Sequence, residues 1–263
     1  MTVALFVPVD RPDRFEKAVA AGADAVIIDL EDAVAGASKE QAREAVRKAI
    51  GEGMRAWVRM NAVRRPEGIL DLSMLADLAP AGIMIPKVDG AADVQLVATR
   101  VPRVPLVALI ETLAGLDRVD EIAATHGIWA IALGAYDLCA ELGARVTADV
   151  LAPLRFKVVA AARRAGVYAL DGPFAGLADE AALADDTRRA VDFGFDGKLA
   201  VHPQQIGVIR SAFEPSAADL ERALTIIAAA EGGGAVRVGD TMIDAPLLAA
   251  ARRLAARAGS HHA

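Results

Sequence analysis

Residues 25–32 read Ala25-Val26-Ile27-Ile28-Asp29-Leu30-Glu31-Asp32, a short Val/Ile run that ends in acids. A continuous apolar run of this kind is buried on both faces, which requires parallel pairing with helical crossovers outside the sheet. Similar runs recur on either side, at Ala4–Val9 and Ala56–Met60, then at Gly82–Pro86, Val104–Ile110, Trp129–Leu133, Val167–Leu170 and Lys198–Val201. Longer Ala/Arg/Glu segments at helical period lie between them, including helices expected from Pro12 and from Ser38. Eight such units favour a closed (β/α)8 TIM barrel. The rival is an open doubly wound sheet, whose fingerprint is a Gly-rich turn after the first strand. Pro8-Val9-Asp10-Arg11-Pro12 stands there instead. After the eighth strand the pattern gives a helix from Pro203, another over Ser216–Ala230, a break at Gly232-Gly233-Gly234 and a last helix over Ala245–Ala258. The expected organisation is a TIM-barrel catalytic domain over residues 1–214 and a C-terminal helical extension over 215–263.

Composition narrows the class of protein. The chain has 263 residues, 54% of them hydrophobic, yet charges, Gly or Pro interrupt every stretch before it reaches the roughly 18 apolar residues of a membrane helix. Its formal net charge of −6 argues against a nucleic-acid partner. The single cysteine, Cys139, can form no disulfide within the chain, in keeping with a reducing compartment. The start, Met1-Thr2-Val3-Ala4-Leu5, lacks the basic opening and longer apolar segment of a secretory signal, so the expected location is the cytoplasm.

In a barrel the chemistry sits at the C-terminal ends of the strands, so the residues that close each apolar run carry the information. They are Asp29, Glu31 and Asp32 after the second strand, Arg59 and Asn61 after the third, Pro86-Lys87 after the fourth and Glu111-Thr112 after the fifth. Asp137, Asp171 and His202-Pro203 follow the sixth, seventh and eighth. Glu111 and Asp137 come from neighbouring strands and would repel each other in a confined pocket unless a cation sat between them. An oxygen-only pair suggests Mg²⁺, which takes one or two carboxylates and leaves its other positions to water and substrate. Arg59 offers a planar fork suited to a substrate carboxylate. Asp29, Glu31 and Asp32 suit either a second metal shell or a favourable helix start, for which Ser38 is the expected N-cap. Arg11 and Lys17 could meet phosphates of an extended ligand or simply form a solvated face. His202 is read as structural, and Lys198, at the front of its strand, as facing the opposite, stability end of the barrel. His261 and His262 close the chain and are not read as metal ligands.

Several blocks, in order, resemble the citrate lyase beta-subunit-like proteins of the HpcH/HpaI aldolase group. They are Leu5-Phe6-Val7-Pro8, Arg11-Pro12-Asp13-Arg14-Phe15, the stretch Gly22–Val34, Val58-Arg59-Met60-Asn61, Ile85-Pro86-Lys87, Leu109-Ile110-Glu111-Thr112, Gly134-Ala135-Tyr136-Asp137-Leu138 and Gly197–Ile206. The resemblance implies a Mg²⁺-dependent barrel that cleaves or forms a carbon–carbon bond beside a carboxylate, commonly on CoA thioesters of malate- or citramalate-like acids. It implies Glu111 and Asp137 as metal ligands, Arg59 on the substrate acid, and Phe6, Arg11 and Lys17 where similar lyases contact the CoA ester. Gly239-Asp240-Thr241-Met242-Ile243-Asp244-Ala245-Pro246 looks like the family's lid segment, in which the aspartate matching Asp244 approaches a neighbouring subunit's site. That implies a homo-oligomer, a trimer or a dimer of trimers, with Asp244 as the acid/base.

The expected reaction is cleavage of a 3-hydroxyacyl-CoA such as citramalyl-CoA or malyl-CoA to acetyl-CoA and a 2-oxo acid such as pyruvate or glyoxylate. The alternatives are a citrate lyase beta subunit acting on an acyl-carrier-protein thioester, a malyl-CoA thioesterase, an aldolase of free 2-oxo acids and a non-catalytic oxo-acid-binding subunit. The chain is shorter than stand-alone malyl-CoA lyases, as are the compact members of the group.

Overall fold

All eight apolar runs form parallel strands, and the sheet they make closes on itself. The computed structural model describes residues 1–11, 14–32, 34–230, 236–238 and 241–260. Met1–Arg210 form one compact unit and Ser211–Ala263 a second. Strands and helices alternate as β1 (Val3–Pro8), α1 (Phe15–Ala20), β2 (Ala25–Asp29), α2 (Lys39–Gly51), β3 (Trp57–Arg59), α3 (Pro66–Leu78), β4 (Gly82–Ile85), α4 (Ala91–Arg100) and β5 (Leu106–Ile110). Short helices α5 (Leu113–Asp117) and α6 (Val119–Ala123) lead to β6 (Ile128–Leu133), α7 (Ala135–Glu141), α8 (Ala148–Ala165), β7 (Tyr168–Asp171), α9 (Glu180–Phe193), β8 (Gly197–Ala200) and α10 (Gln205–Phe213). Closure is direct, because β8 pairs with β1 in the register Val3↔Lys198, Ala4↔Leu199.

Alternation along the strands sorts the core into two layers. Ala4, Ile27, Met84, Leu109, Ala132, Leu170 and Leu199 belong to one buried cluster that fills the barrel. Their neighbours Leu5, Ile28, Ile83, Ile110, Leu133 and Ala169 are equally buried and pack under the helices. At the N-terminal ends of the strands the barrel is filled by aromatic rings. Trp57 and Trp129 have centroids 5.4 Å apart, and Trp129 and Tyr168 4.8 Å. Gly82 makes this possible, since a Cβ there would lie 2.2 Å from the Trp57 ring.

Several boundaries differ from the sequence reading for local reasons. The fifth strand begins at Leu106 rather than Val104, because Val104 donates back to the Val101 carbonyl in a turn and Pro105 has no N–H to give. The helix expected from Pro203 starts at Gln205, after a turn in which the Gln205 N–H reaches the His202 carbonyl. Ser38 does not cap α2. It closes a 3₁₀ turn over Gly36–Ser38 with φ −102° and ψ 1°, away from the extended conformation a capping hydroxyl needs, and makes no capping bond. The expected helix start at Pro12, the break Gly232–Gly234, Gly239-Asp240 of the C-terminal segment and His261-His262 lie outside the described residues. In the second unit, α11 (Ala217–Ala230) packs on α12 (Ala245–Ser260), and β9 (Val236–Val238) pairs antiparallel with β10 (Thr241–Ile243).

Asp171 and Lys198 correct the sequence reading. Both stand one residue out of phase with the barrel-filling Leu170 and Leu199, so they point outward beneath α8 and α9. Asp171 therefore lies away from the rim chemistry, and Lys198 belongs to the helix-facing layer rather than to the barrel's lower end. Arg155 of α8 donates through Nε and Nη2 to the two Asp171 oxygens at 3.0 and 2.9 Å and through Nη2 to Asp186 at 2.6 Å. Lys198 Nζ pairs with Asp171 and, at 2.8 Å, with Asp186, completing a four-charge ring. Arg155, Asp171 and Lys198 are only 2%, 1% and 1% exposed, so each charge depends on the others for the solvation that water would supply. Burial opposes ionisation of Asp186, but Lys198 and Arg155 outweigh it and hold its carboxyl below the usual range.

Lys198→Met should cost about 3–5 kcal/mol of stability at neutral pH, since two buried carboxylates would then share one cation. Urea unfolding followed by circular dichroism measures this. The gap between variant and wild type should begin to narrow below about pH 4, where the unfolded chain's Asp186 takes up its proton, and close further as pH falls through the lowered range of the folded carboxyl.

Candidate functional site

The alternation that fills the barrel with Ile27, Trp57 and Leu109 places Asp29, Arg59 and Glu111 next in phase, at the C-terminal end of the sheet. Asp29 and Arg59 are register partners on β2 and β3. The guanidinium grips the carboxylate at both oxygens, Nε to Oδ1 at 2.8 Å and Nη2 to Oδ2 at 2.7 Å. Its third nitrogen, Nη1, lies 3.2 Å from Glu31 Oε2, and the Phe6 ring sits 4.8 Å from the guanidinium carbon. The fork that the sequence offers to a substrate carboxylate is thus held by Asp29. Arg59 still borders the cavity with a charge that burial opposes and these acids sustain, its pKa held above the usual value.

Glu111 and Asp137 also meet at this cavity, a hollow of about 160 Å³ lined by Phe6, Asp32, Arg59, Leu109, Glu111 and Asp137 among others. Glu111 is buried directly after β5, and its Oε1 accepts the Lys87 backbone N–H at 2.8 Å. Gly134 gives the side chain its room, because a Cβ there would stand 2.3 Å from Glu111 Cβ and 2.8 Å from Oε2. Asp137 lies in the first turn of α7. Lys87 Nζ pairs with Asp137 and lies 3.6 Å from Glu111 Oε1, so an ammonium bridges the two carboxylates. Burial pushes the Glu111 carboxyl up, against the pull of Lys87. The same holds more strongly for Glu31, which burial, opposed by Arg59 and reinforced by Glu111 and Asp32, raises to about 8. Glu31 Oε2 is buried and, although close to Arg59, has no partner in hydrogen-bonding geometry.

The remaining predicted residues separate into distinct places. Phe6, Arg11 and Lys17 line a second cavity of about 340 Å³, together with Arg14, His202 and Pro203. Phe6 borders both hollows. Asp32 lines the smaller one, 3.9 Å from Arg59 Nη2. His202 accepts the Gln204 N–H at Nδ1, a local structural bond. Asn61 is a support: its side-chain amide donates to the Leu30 carbonyl and to Asp71, while its Oδ1 accepts from Lys39 Nζ. Lys39 also donates to the Leu30 and Glu31 carbonyls, which fixes the acidic turn after β2. Asp244, in the second unit, accepts the Leu247 N–H and caps α12.

Sequence reasoning put Lys87 on the rim without giving it a role, and assigned nothing to Arg14, Lys39 or Asp71. The partners of Lys87 lie 24 and 50 residues away, beyond any local spacing rule. Among the described residues no group of three or more His, Cys, Asp or Glu side chains is arranged around a common metal position. Glu111 and Asp137 bring two carboxylates together at this cavity, and one or two carboxylates are what Mg²⁺ ordinarily takes from a protein.

Comparison with known proteins agrees with the barrel. The family model described as HpcH/HpaI aldolase/citrate lyase matches residues 2–203. A citrate lyase subunit beta-like protein of Mycobacterium tuberculosis is 38% identical over 263 residues, covering 97% of this chain and 94% of that one. A (3S)-malyl-CoA thioesterase of Cereibacter sphaeroides is 36% identical over 266 residues, covering 97% and 93%. A crystal structure of protein CitE from Mycobacterium tuberculosis in complex with magnesium, acetoacetate and coenzyme A superposes with a TM-score of 0.88 at 38% identity, covering 98% of each chain.

Glu31 should make stability pH-dependent in EDTA. Its carboxyl titrates near 8 in the folded chain against 4.5 ordinarily, so the folded state holds more protons between those values and stability falls as pH rises through them. Chemical denaturation at pH 5, 6.5 and 8 should show this decline in the wild type and a flatter profile in Glu31→Gln. Equal slopes would refute the assignment.

Proposed function

The chain belongs to the HpcH/HpaI aldolase/citrate lyase family, and from that premise we propose that it is a Mg²⁺-dependent carbon–carbon lyase of a 3-hydroxyacyl-CoA such as citramalyl-CoA or malyl-CoA. The observation that carries the reading is the convergence of Glu111, Asp137 and Arg59 on one cavity at the C-terminal end of the barrel. The oxygen donors Glu111 and Asp137 would hold the ion, and the bridging Lys87 ammonium marks the place between them as one where positive charge is favourable. When bound there, Mg²⁺ supplies Lewis acidity to the substrate's hydroxyl and carboxylate oxygens.

The protein's own contribution is electrostatic and positional. Cleavage removes the substrate's hydroxyl proton, turns that carbon into the carbonyl of a 2-oxo acid and leaves the bonding pair on the thioester fragment as an enolate. A proton added to the enolate carbon gives acetyl-CoA and balances the one removed. Arg59, kept charged by Asp29 and unable to rotate away from it, offsets negative charge on the acid. The cavity bordered by Arg11, Arg14 and Lys17 suits the phosphates of the CoA ester, and Phe6, which borders both hollows, would meet the thioester end. Asp244 is assigned as the acid/base, supplied by a neighbouring copy in a trimeric or hexameric assembly. Its exposed position at the start of α12 is compatible with that role.

A second reading is thioester hydrolysis, favoured by the similarity to the Cereibacter sphaeroides thioesterase. Incubation with Mg²⁺ and citramalyl-CoA or malyl-CoA, followed by mass spectrometry, separates the two. A lyase yields acetyl-CoA with pyruvate or glyoxylate, whereas a thioesterase yields free CoA and the hydroxy acid. Turnover should vanish with EDTA and in Glu111→Ala and Asp137→Ala, both of which should retain the wild-type circular dichroism spectrum. Retained activity in either variant would refute the metal assignment.

A further inference from the structure

Lys87 combines features that no purely structural ion pair needs. Its backbone adopts φ +50°, in the left-handed region that non-glycine residues seldom occupy. Both ends of that peptide geometry are clamped: the N–H donates to Glu111 Oε1 at 2.8 Å, and the carbonyl accepts Arg64 Nη2 at 2.8 Å. Arg64 is in turn paired with Asp89. The main chain at Lys87 is therefore fixed, and any displacement of the ammonium has to come from the rotatable bonds of its four-carbon stem. The ammonium at its end bridges Asp137 and Glu111, and the side chain keeps 30% of its surface exposed, which leaves it a way out to solvent.

The other cation beside the cavity, Arg59, has no such freedom, since its side chain is 13% exposed and locked on Asp29 at both oxygens. Lys87 is thus the cation of this site that can leave. We infer that Lys87 is a placeholder cation: its ammonium neutralises the Glu111–Asp137 pair before the divalent ion arrives, and the ion enters by exchange as the ammonium withdraws toward solvent. The inference rests on the reading of Glu111 and Asp137 as the metal ligands. It makes metal affinity the outcome of a competition within the chain, because the ammonium and the divalent ion favour the same position between two carboxylates.

Two measurements on the full chain test it, with Mn²⁺ as the probe. Isothermal titration should show Mn²⁺ binding to the wild type and a Kd lower by roughly tenfold or more in Lys87→Met, because the competing charge is gone. In the wild type, saturating Mn²⁺ should raise acetylation of Lys87 by an amine-acylating reagent, read by peptide mass spectrometry at limiting reagent, as the ammonium is released from its partners. That second arm needs no variant and stands even if Lys87→Met folds poorly. Equal or weaker Mn²⁺ binding in a folded Lys87→Met, or acetylation that stays level or drops, would overturn the exchange while leaving the metal assignment intact. Absence of Mn²⁺ binding in both proteins would overturn the metal assignment, and the exchange with it.

Discussion

Carboxylates outnumber cations where the barrel strands end. Asp29, Glu31, Asp32, Glu111 and Asp137 gather within a small space, with Arg59 and Lys87 as their immediate cationic partners. Burial of Asp29, Glu31 and Glu111 makes that imbalance costly, since low dielectric strengthens repulsion as much as attraction. Much of the local architecture follows from it. Arg59 is divided between Asp29 and Glu31, and Glu31 is left with a carboxyl that prefers its proton. Between Glu111 and Asp137 the Lys87 ammonium supplies the positive charge that the pair requires.

The scaffold bears this imbalance because the supporting bonds come from behind the rim. Asn61, Asp71, Lys39 and Arg43 form a network beneath the acidic turn, in which Arg43 Nη1 reaches Asp71 Oδ1 at 3.1 Å and the Asn61 N–H reaches Asp71 Oδ2 at 2.8 Å. The carbonyls of Leu30 and Glu31 are fixed by Lys39, so the side chains of the turn are aimed without depending on one another. On the opposite side of the barrel the Arg155–Asp171–Lys198–Asp186 ring does comparable work, joining two strands to two helices just before the chain turns to Pro173, which lines the cavity.

The strands were legible in the sequence because a parallel strand buried on both faces leaves an unbroken apolar run, and the closing charges marked its end. Glu111, Asp137, Arg59 and the Asp29–Asp32 block were found by that rule, and the structure gathers them at one end of the barrel. The same property hid the facing of each residue. When both faces are apolar, no alternation shows whether Asp171 points into the barrel or out of it, and only the neighbouring Leu170 in the closed sheet settles the phase. Lys198 was misread for the same reason. Lys87, Lys39 and Arg14 carry long flexible stems whose destinations depend on tertiary neighbours, and Ser38 on a turn geometry that composition does not encode. Charge alone left Arg11 and Lys17 open between phosphate contacts and a solvated face, and the expectations for Phe6 and Asp244 came only from the resemblance to a family.

Both tryptophans of the chain, Trp57 and Trp129, sit together at the end of the barrel remote from the acidic rim. Intrinsic fluorescence excited at the indole band therefore originates at the base, from two rings tilted against each other beside Tyr168. An optical signal from this protein reports the integrity of the closed sheet at its base. The native pair is thus a built-in probe of unfolding, with one ring from the first half of the barrel sheet, on β3, and one from the last half, on β6.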